Sequence, residues 1–303
     1  MKKQELLLIG RKFGLQINIV EKILLKKTGL NKSQFFLSDD LKISEKELEE
    51  LRNIFRKVVF GYPIEYVLEK AEFYGLDFYV DKRCLIPRND TEVMVEQAIE
   101  EINTSPLILP LTGEGNNIIY IDVGTGSGAI PISVVKSVST EGFSPLKKSF
   151  AVDISEDALK VARKNIKTHN LENKIKLLKS DLLSKIPLNP PFIKGEITQY
   201  IITANLPYIK DEDFLNMDKD VILHEPSVAL YGGAGTGFEL YEKLIEQILS
   251  TPLLGKEGLG VVLFIEIGFD QKKVAINYLN SKKLNFKIFK DNGGVDRCIK
   301  IEF

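Results

Sequence analysis

Between Ile118 and Val123 five of six consecutive positions are apolar, and glycines follow at 124, 126 and 128. So short an apolar run, closed by turn residues, predicts a buried strand, and Ala129 to Val135 then read as the start of an apolar helix. The alternation continues with a helix at 127–138, a strand at 149–153, a helix at 155–168 and strands at 175–180 and 199–204. Beyond these the pattern predicts a helix near 236–249, a strand at 261–266, a helix at 270–280 and strands near 285–290 and 296–302. Strands that alternate with helices predict an α/β fold, a parallel sheet covered on both faces.

Upstream the period changes. Residues 1–60 show helical spacing, and Ser44 with Glu47 forms a capping box ahead of Leu48, Leu51, Ile54 and Phe55. This predicts a small all-helical N-terminal domain. Gly61-Tyr62-Pro63 breaks it, and Leu76, Phe78 and Val80 alternate with Asp77, Tyr79 and Asp81 as in a half-buried strand. A β-hairpin linker is expected over 61–89, and a helix capped by Asp90 or Thr91 should open a catalytic domain at 90–303. Four Pro-, Gly- or Lys-rich segments interrupt the order: Leu109 to Gly115, Ser144 to Lys148, Pro190 to Glu196 and Thr251 to Gly258. They read as loop insertions, which cost little because closure entropy rises slowly with length.

Composition narrows the function classes. A chain of 303 residues suggests two domains, and its net charge of -1 carries no global field for nucleic acid. Lysines and arginines outnumber acids before residue 35, which reads as a solvated helical face. The two cysteines, Cys84 and Cys298, have no metal spacing and fit a reducing, cytoplasmic setting. No export signal is visible, and the apolar run around Gly260 to Gly268 is too short to span a bilayer. No membrane contact is therefore expected.

The candidate chemistry sits where strands end. Gly124, Gly126 and Gly128, with Thr125 and Ser127 between them, form a tight turn into a helix N-terminus, a cradle for a small ligand. Asp153 closes the next strand, where a carboxylate can take ribose hydroxyls of either a dinucleotide or S-adenosylmethionine. Asp122, two residues before the first glycine, favours the second: it would repel a pyrophosphate and attract an ammonium. Asp181, after the third strand, can accept from an adenine amino group, or else cap a helix. The strand at 199–204 runs straight into Asn205-Leu206-Pro207-Tyr208. The Asn205 oxygen and the Leu206 carbonyl can hold both hydrogens of a planar NH₂ group, Pro207 keeps Leu206 extended, and Tyr208 can pack on the plane. Asn189-Pro190-Pro191-Phe192 has a similar spelling, but no strand precedes it. His169 and His224 read as helix-surface or packing residues, and Glu225 as one that orients the loop or caps a helix.

Together with Gly61 to Tyr66, Phe73 to Leu76, Leu85 to Glu92, Glu225 to Leu230 and the glycines from 232 to 237, these motifs resemble the protein-(glutamine-N5) methyltransferases that modify peptide-chain release factors. The resemblance spans nearly the whole chain. It implies a Rossmann-like class I methyltransferase sheet, S-adenosyl-L-methionine as donor, the glutamine of a release factor's Gly-Gly-Gln motif as acceptor, and a helical domain that helps recognise that partner. It also implies that Gly124 to Gly128, Asp153, Leu182 and Asn205 line the donor site, Asn205 to Tyr208 the glutamine site, and that Arg88 and Glu92 shape the latter. The sequence departs at Leu206, where the family's motif has proline, at Leu182, where an aromatic residue is common, and at Asn89, where proline is usual. The alternatives are methylation of a ribosomal-protein glutamine, an adenine-N6 nucleic-acid methyltransferase, a dinucleotide-dependent oxidoreductase and a nucleoside-binding module without chemistry. Asn-Leu-Pro-Tyr is also an rRNA adenine dimethylase spelling, but that family places its helical domain last.

Overall fold

A computed structural model describes residues 1–105, 118–139, 146–186, 198–214, 224–251 and 259–303. Most of the four predicted insertions, and Asn189, lie outside the described residues.

Helices α1 (Lys3–Lys12), α2 (Ile17–Thr28), α3 (Lys32–Leu37) and α4 (Glu45–Val59) enclose a core of their own around Leu6, Val20, Leu24, Phe35, Leu51 and Phe55. The Ser44–Glu47 capping box forms as the spacing predicts, and Asn31 with Gln34 makes a second at α3. Some of the N-terminal lysines bond within the protein: Lys3 Nζ donates to the carbonyls of Phe35 and Phe36, and Lys26 and Lys27 pair with Glu69 and Glu50. A short helix, α5 (Ile64–Leu68), precedes the hairpin of β1 (Ala71–Phe73) and β2 (Leu76–Phe78). Tyr74 and Gly75 at its tip both have positive φ, 50° and 69°, the geometry of a two-residue turn whose twist matches the strands.

After a 3-10 turn at Asn89–Thr91 come α6 (Glu92–Thr104), β3 (Ile118–Val123), α7 (Ala129–Val138), β4 (Leu146–Asp153), α8 (Glu156–Thr168), β5 (Ile175–Lys179) and β6 (Thr198–Ala204). Short β7 (Ile209–Lys210), α9 (Asp211–Phe214) and β8 (Tyr231–Gly233) follow, then α10 (Glu239–Leu249), β9 (Leu259–Glu266), α11 (Lys272–Ser281), β10 (Asn285–Lys290) and β11 (Asp296–Glu302). Seven strands form one sheet in the order β10-β11-β9-β6-β3-β4-β5, parallel except that β11 runs antiparallel to both neighbours.

Alternate residues of β3 face opposite layers. Ile119, Ile121 and Val123 join the core under α10 and α11, while Ile118 and Tyr120 join the core under α6 and α7, so both faces are buried. The fold class is therefore the expected α/β sheet. Chain order reverses at β3: β4 and β5 extend to one side, β6 and β9 to the other. Such a switch point opens a crevice at the carboxyl ends of the strands, and both the glycine turn and Asn205 emerge there.

Three readings are corrected. Leu146 to Lys148, read as part of an insertion, begin β4, because Leu146 and Lys148 pair with Ile118 and Ile119. The helix expected from 127 starts at Ala129, since Gly128 before it is left-handed, φ 81°. Thr91 precedes α6 but its side chain makes no cap; its hydroxyl is used elsewhere.

Candidate active site

The glycine turn is pinned from below and kept free of side chains above. The N–H groups of Gly124 and Thr125 both donate to the Val152 carbonyl at 2.9 Å, and Gly126 N–H donates to Asp153 Oδ2 at 2.8 Å. Gly124 sits at φ 75°, and a Cβ there would come within 2.9 Å of Leu206 Cδ2 and 3.4 Å of the Asn205 carbonyl. The turn and the Asn205 segment are thus in contact, across the gap between β3 and β6.

A cavity of about 740 Å³ opens beside them, lined by Gly124, Gly126, Asp153, Ile154, Ser180, Asp181, Leu182, Asn205, Leu206 and Pro207, among others. This is within the range of small-ligand sites, and its walls are largely apolar with a few converging polar groups. Burial pushes the Asp153 carboxyl up, while backbone N–H groups of Ser155, Gly126 and Ile154 counteract it. Each Asp153 oxygen accepts one of these bonds and keeps a further lone pair for a hydroxyl. Leu182, left-handed at φ 49°, turns its buried side chain toward the same cavity. Asp181 lies at the rim and is paired with Lys243 at 2.6 Å.

Asp122 is placed differently from a lining residue. It is fully buried beneath the turn, with Oδ1 accepting from Thr203 Oγ1 at 2.7 Å, while Thr203 also bonds the Tyr120 hydroxyl at 2.7 Å. Burial pushes its carboxyl up to about 7, opposed by the hydroxyls of Thr125 and Thr203. Asp122 Oδ2 and Thr125 Oγ1 are buried near one another, close enough for the hydroxyl to lower the carboxyl, yet neither makes a hydrogen bond. The fit to S-adenosylmethionine is good: a cavity of suitable size, a carboxylate with spare lone pairs for ribose hydroxyls, and orphaned acceptors under the turn for an ammonium. Ser127 is buried in the turn ahead of α7, where its carbonyl accepts from Asn165 Nδ2.

The Asn205–Tyr208 tetrapeptide is held on every side by residues distant in sequence. Asn205 Nδ2 donates to Thr91 Oγ1 at 3.1 Å, which leaves the carboxamide oxygen as the acceptor. Fully buried Tyr241 on α10 grips both ends of the next residue, accepting from Leu206 N–H at 3.0 Å and donating to the Leu206 carbonyl at 3.3 Å. Proline at 206 would lack that N–H. The Tyr208 carbonyl accepts from Gln271 Nε2 at 3.1 Å. Gly232 and Gly237 admit this backbone closely, since a Cβ on either would lie 2.5 Å from Tyr208 Cα or 2.1 Å from its oxygen.

Asn205, Leu206 and Pro207 line the first cavity, whereas Tyr208 lines a second, more polar one of about 560 Å³ with Glu65, Glu72, Pro87, Arg88, Asp90 and Arg297. The tetrapeptide is a partition between the two. Burial pushes the Tyr208 phenol up to about 12, so it stays protonated at neutral pH. Arg88 is brought to this second cavity, where it pairs with the buried Glu225 carboxylate, which also accepts from Ile86 N–H. Glu92 is a different matter: it lines neither cavity, and its carboxylate accepts from Tyr74 N–H at 2.7 Å in the hairpin turn. Its position therefore does not place it at the glutamine site; it fastens the hairpin to α6. His169 packs on Phe78 and His224 on Tyr62, away from both cavities.

Sequence reasoning missed Thr91's role, Tyr241, Gln271 and Glu266. A signal existed for the last: Glu266 closes the apolar run Val261 to Ile265 as Asp153 closes β4. Among the described residues no group of acids, histidines and cysteines is arranged to hold a metal ion, and no helix is long and apolar enough to cross a membrane.

Comparison with known proteins bears on the family and the fold. Residues 103–211 match the family described as "Methyltransferase small domain". A release factor glutamine methyltransferase of Chlorobaculum tepidum is 32% identical over 89% of this chain and 84% of its own length. That of Bacillus subtilis is 33% identical over 94% of this chain and 91% of its own, and that of Clostridium acetobutylicum 34% over 89% and 86%. Among solved structures, the catalytic domain of human METTL16, crystallised with a 3′UTR hairpin, superposes with a TM-score of 0.50 at 14% identity, covering 86% of this chain and 83% of that one. The last likeness speaks to fold alone.

Proposed function

This chain belongs to the release factor glutamine methyltransferase family, and from that premise we propose that it transfers the methyl group of S-adenosyl-L-methionine to the side-chain amide nitrogen of the glutamine in a release factor's Gly-Gly-Gln motif. The observation that carries the reading is the Asn205 carboxamide: its NH₂ is engaged by Thr91 while its loop touches the glycine turn. An acceptor oxygen is therefore offered to substrate beside the place where the donor would lie.

When bound, the donor supplies an electrophilic methyl on a sulfonium. Gly124 to Gly128 would form its cradle, Asp153 would hold the ribose hydroxyls, and Leu182 and exposed Ile154, with Asp181 beside them, would offer surface to the adenine. Asp122 and Thr125 act from beneath the turn on the ammonium end. The glutamine enters through the second cavity, passing Arg88. Its planar NH₂ is a poor nucleophile because the lone pair is delocalised. Accepting one hydrogen on Asn205 Oδ1 and the other on the Leu206 carbonyl fixes the nitrogen so that its lone pair faces the methyl. Pro207 and the Tyr241 clamp keep that carbonyl in place, and Tyr208 packs on the amide plane. Catalysis is then orientation and exclusion of water, with no strong base needed beforehand.

The helical residues 1–60 are proposed to contact the release factor outside the motif, with 61–89 as the linker and 90–303 as the catalytic domain. The expected setting is the cytoplasm, where both buried free thiols would stay reduced. The test is transfer of labelled methyl from S-adenosylmethionine to a release factor, beside the same factor with its Gly-Gly-Gln glutamine changed to alanine. Label on the first and not the second is expected; equal label on both contradicts the reading.

A further inference from the structure

A carboxylate that none of the motifs contains stands behind Asn205. Glu266 ends β9, the neighbour of β6, and the pairing Ala204↔Ile265 brings Asn205 and Glu266 out side by side at the carboxyl edge. Its side chain is buried, 3% exposed, and Oε2 has no hydrogen-bond partner. Leaving a carboxylate oxygen unsatisfied in the interior is costly, so its retention needs a reason. The groups that face it supply one. The Thr91 hydroxyl and the Asn205 carboxamide both lie close enough to hold its carboxyl down against burial, and Thr91 itself accepts from Asn205 Nδ2 at 3.1 Å.

We propose that Glu266 is a positioning residue that fixes which face of the Asn205 carboxamide meets the substrate. The proposal deepens the function given above and rests on it. An ionised carboxylate only accepts, so it draws the Thr91 hydroxyl hydrogen and the Asn205 NH₂ toward itself. Thr91 Oγ1 is then left as an acceptor for Asn205 Nδ2, and both ends of the relay agree. The Asn205 oxygen is thereby turned to the cavity. A flipped carboxamide would present NH₂ to the substrate's NH₂, donor against donor, and would point the glutamine lone pair away from the methyl. Asparagine has no intrinsic preference between the two orientations; the carboxylate behind it decides.

Protonation of Glu266 removes that preference, since a carboxylic acid can itself donate to Thr91. Burial pushes Glu266 up to about 7, and the groups around it are Thr91 and Asp90 ahead of α6, Asn205, Tyr208, Tyr241 on α10, and Arg297 and Cys298 on β11. Arg297 lowers it and Asp90 raises it. The relay is therefore expected to tighten as pH rises through neutrality.

The test compares wild type with Glu266→Gln, which is isosteric but can donate, and with Thr91→Val and Thr91→Ser. Expected for Glu266→Gln and Thr91→Val is a fall in kcat of about 10- to 100-fold, with release-factor KM and S-adenosylhomocysteine affinity held within about threefold. Thr91→Ser, which keeps the hydroxyl, restores most of the rate. In wild type kcat rises with pH across neutrality, and that limb disappears in Glu266→Gln. The side-chain NH₂ resonance of Asn205, followed by NMR in the unliganded protein, shifts over the same pH range in wild type and not in Glu266→Gln. Glu266→Gln retaining wild-type kcat, or losing donor affinity in step with rate, overturns the proposal. Should Glu266→Gln fail to fold, Thr91→Val with unchanged kcat overturns it equally. If wild type does not methylate a release factor at all, the functional reading fails instead, and a pH-independent Asn205 resonance decides against the relay on its own.

Discussion

Two residues that hold the two facing loops of the site, Tyr241 at Leu206 and Asp153 at the glycine turn, should fail in different ways. Tyr241→Phe leaves the Leu206 N–H and carbonyl without their buried partner, a loss of about 1–3 kcal/mol where such groups are stranded. The loop then loses the hold on the carbonyl that accepts substrate hydrogen, so kcat should fall by about tenfold or more while S-adenosylhomocysteine binds nearly as before. Asp153→Asn should do the reverse, weakening S-adenosylhomocysteine by roughly tenfold or more, as read by calorimetry. At this scale the sequence is informative wherever function uses contiguous residues. The glycine turn, Asp153 and Asn205 to Tyr208 are each visible as a motif at a strand end. Thr91, Tyr241 and Gln271 are not, because they reach the loop from 114, 35 and 63 positions away. Nothing local marks a tyrosine on a helix face as a clamp rather than a core residue. Leu206 illustrates the difference: its spelling suggests a loop freer than one with proline, yet its N–H is the group that Tyr241 binds.

Among the elements, those whose alternation of apolar and polar positions decides their limits read most clearly. The strands 118–123, 285–290 and 296–302 lie where the pattern places them. Boundaries fixed by a side chain or by pairing do not. Helix α10 starts at Glu239 and not at 236, because the Glu239 carboxylate turns back to accept from Gly235 and Thr236 N–H. Glycines give a sharper test of how elements fit together. Gly29, closing α2 at φ 67°, has open space where a Cβ would go, so Gly29→Ala should cost only the left-handed penalty, about 1–2 kcal/mol. Gly237, at a similar φ of 72°, would push a Cβ to 2.1 Å from the Tyr208 oxygen. Gly237→Ala should therefore lower the thermal midpoint further than Gly29→Ala and also reduce kcat, since the Asn-Leu-Pro-Tyr loop must shift. Equal midpoints and equal rates would show that the loop yields without consequence.

Across the whole molecule, the buried carboxyls of the switch point set a dependence of stability on pH. Asp122 and Glu266 are both pushed up by burial to about 7, and Asp153 is also raised. In the unfolded chain such groups ionise near pH 4, so between about 4 and 7 the folded state holds more protons than the unfolded one. Stability from these groups is full below that window and is lost as pH rises through the folded values. The paired surface carboxyls act oppositely but lower; Asp81, beside Arg83, is held down to about 2. Donor-free protein should accordingly show a falling thermal midpoint from about pH 5 to about pH 7.5. Asp122→Asn should flatten part of that slope. A midpoint that rises over the same interval would contradict the burial of ionisable groups described here.

The central claim is that Asn205 presents a glutamine amide to a methyl donor lying on the Gly124–Gly128 turn. Its most direct test is site-resolved mass spectrometry of a release factor after incubation with S-adenosylmethionine and either wild type or Asn205→Ala. The account predicts a single added methyl on the side-chain nitrogen of the Gly-Gly-Gln glutamine with wild type, and none with Asn205→Ala even though that variant still binds S-adenosylhomocysteine. A methyl found on another residue, or on the same glutamine at an undiminished rate with Asn205→Ala, would contradict it.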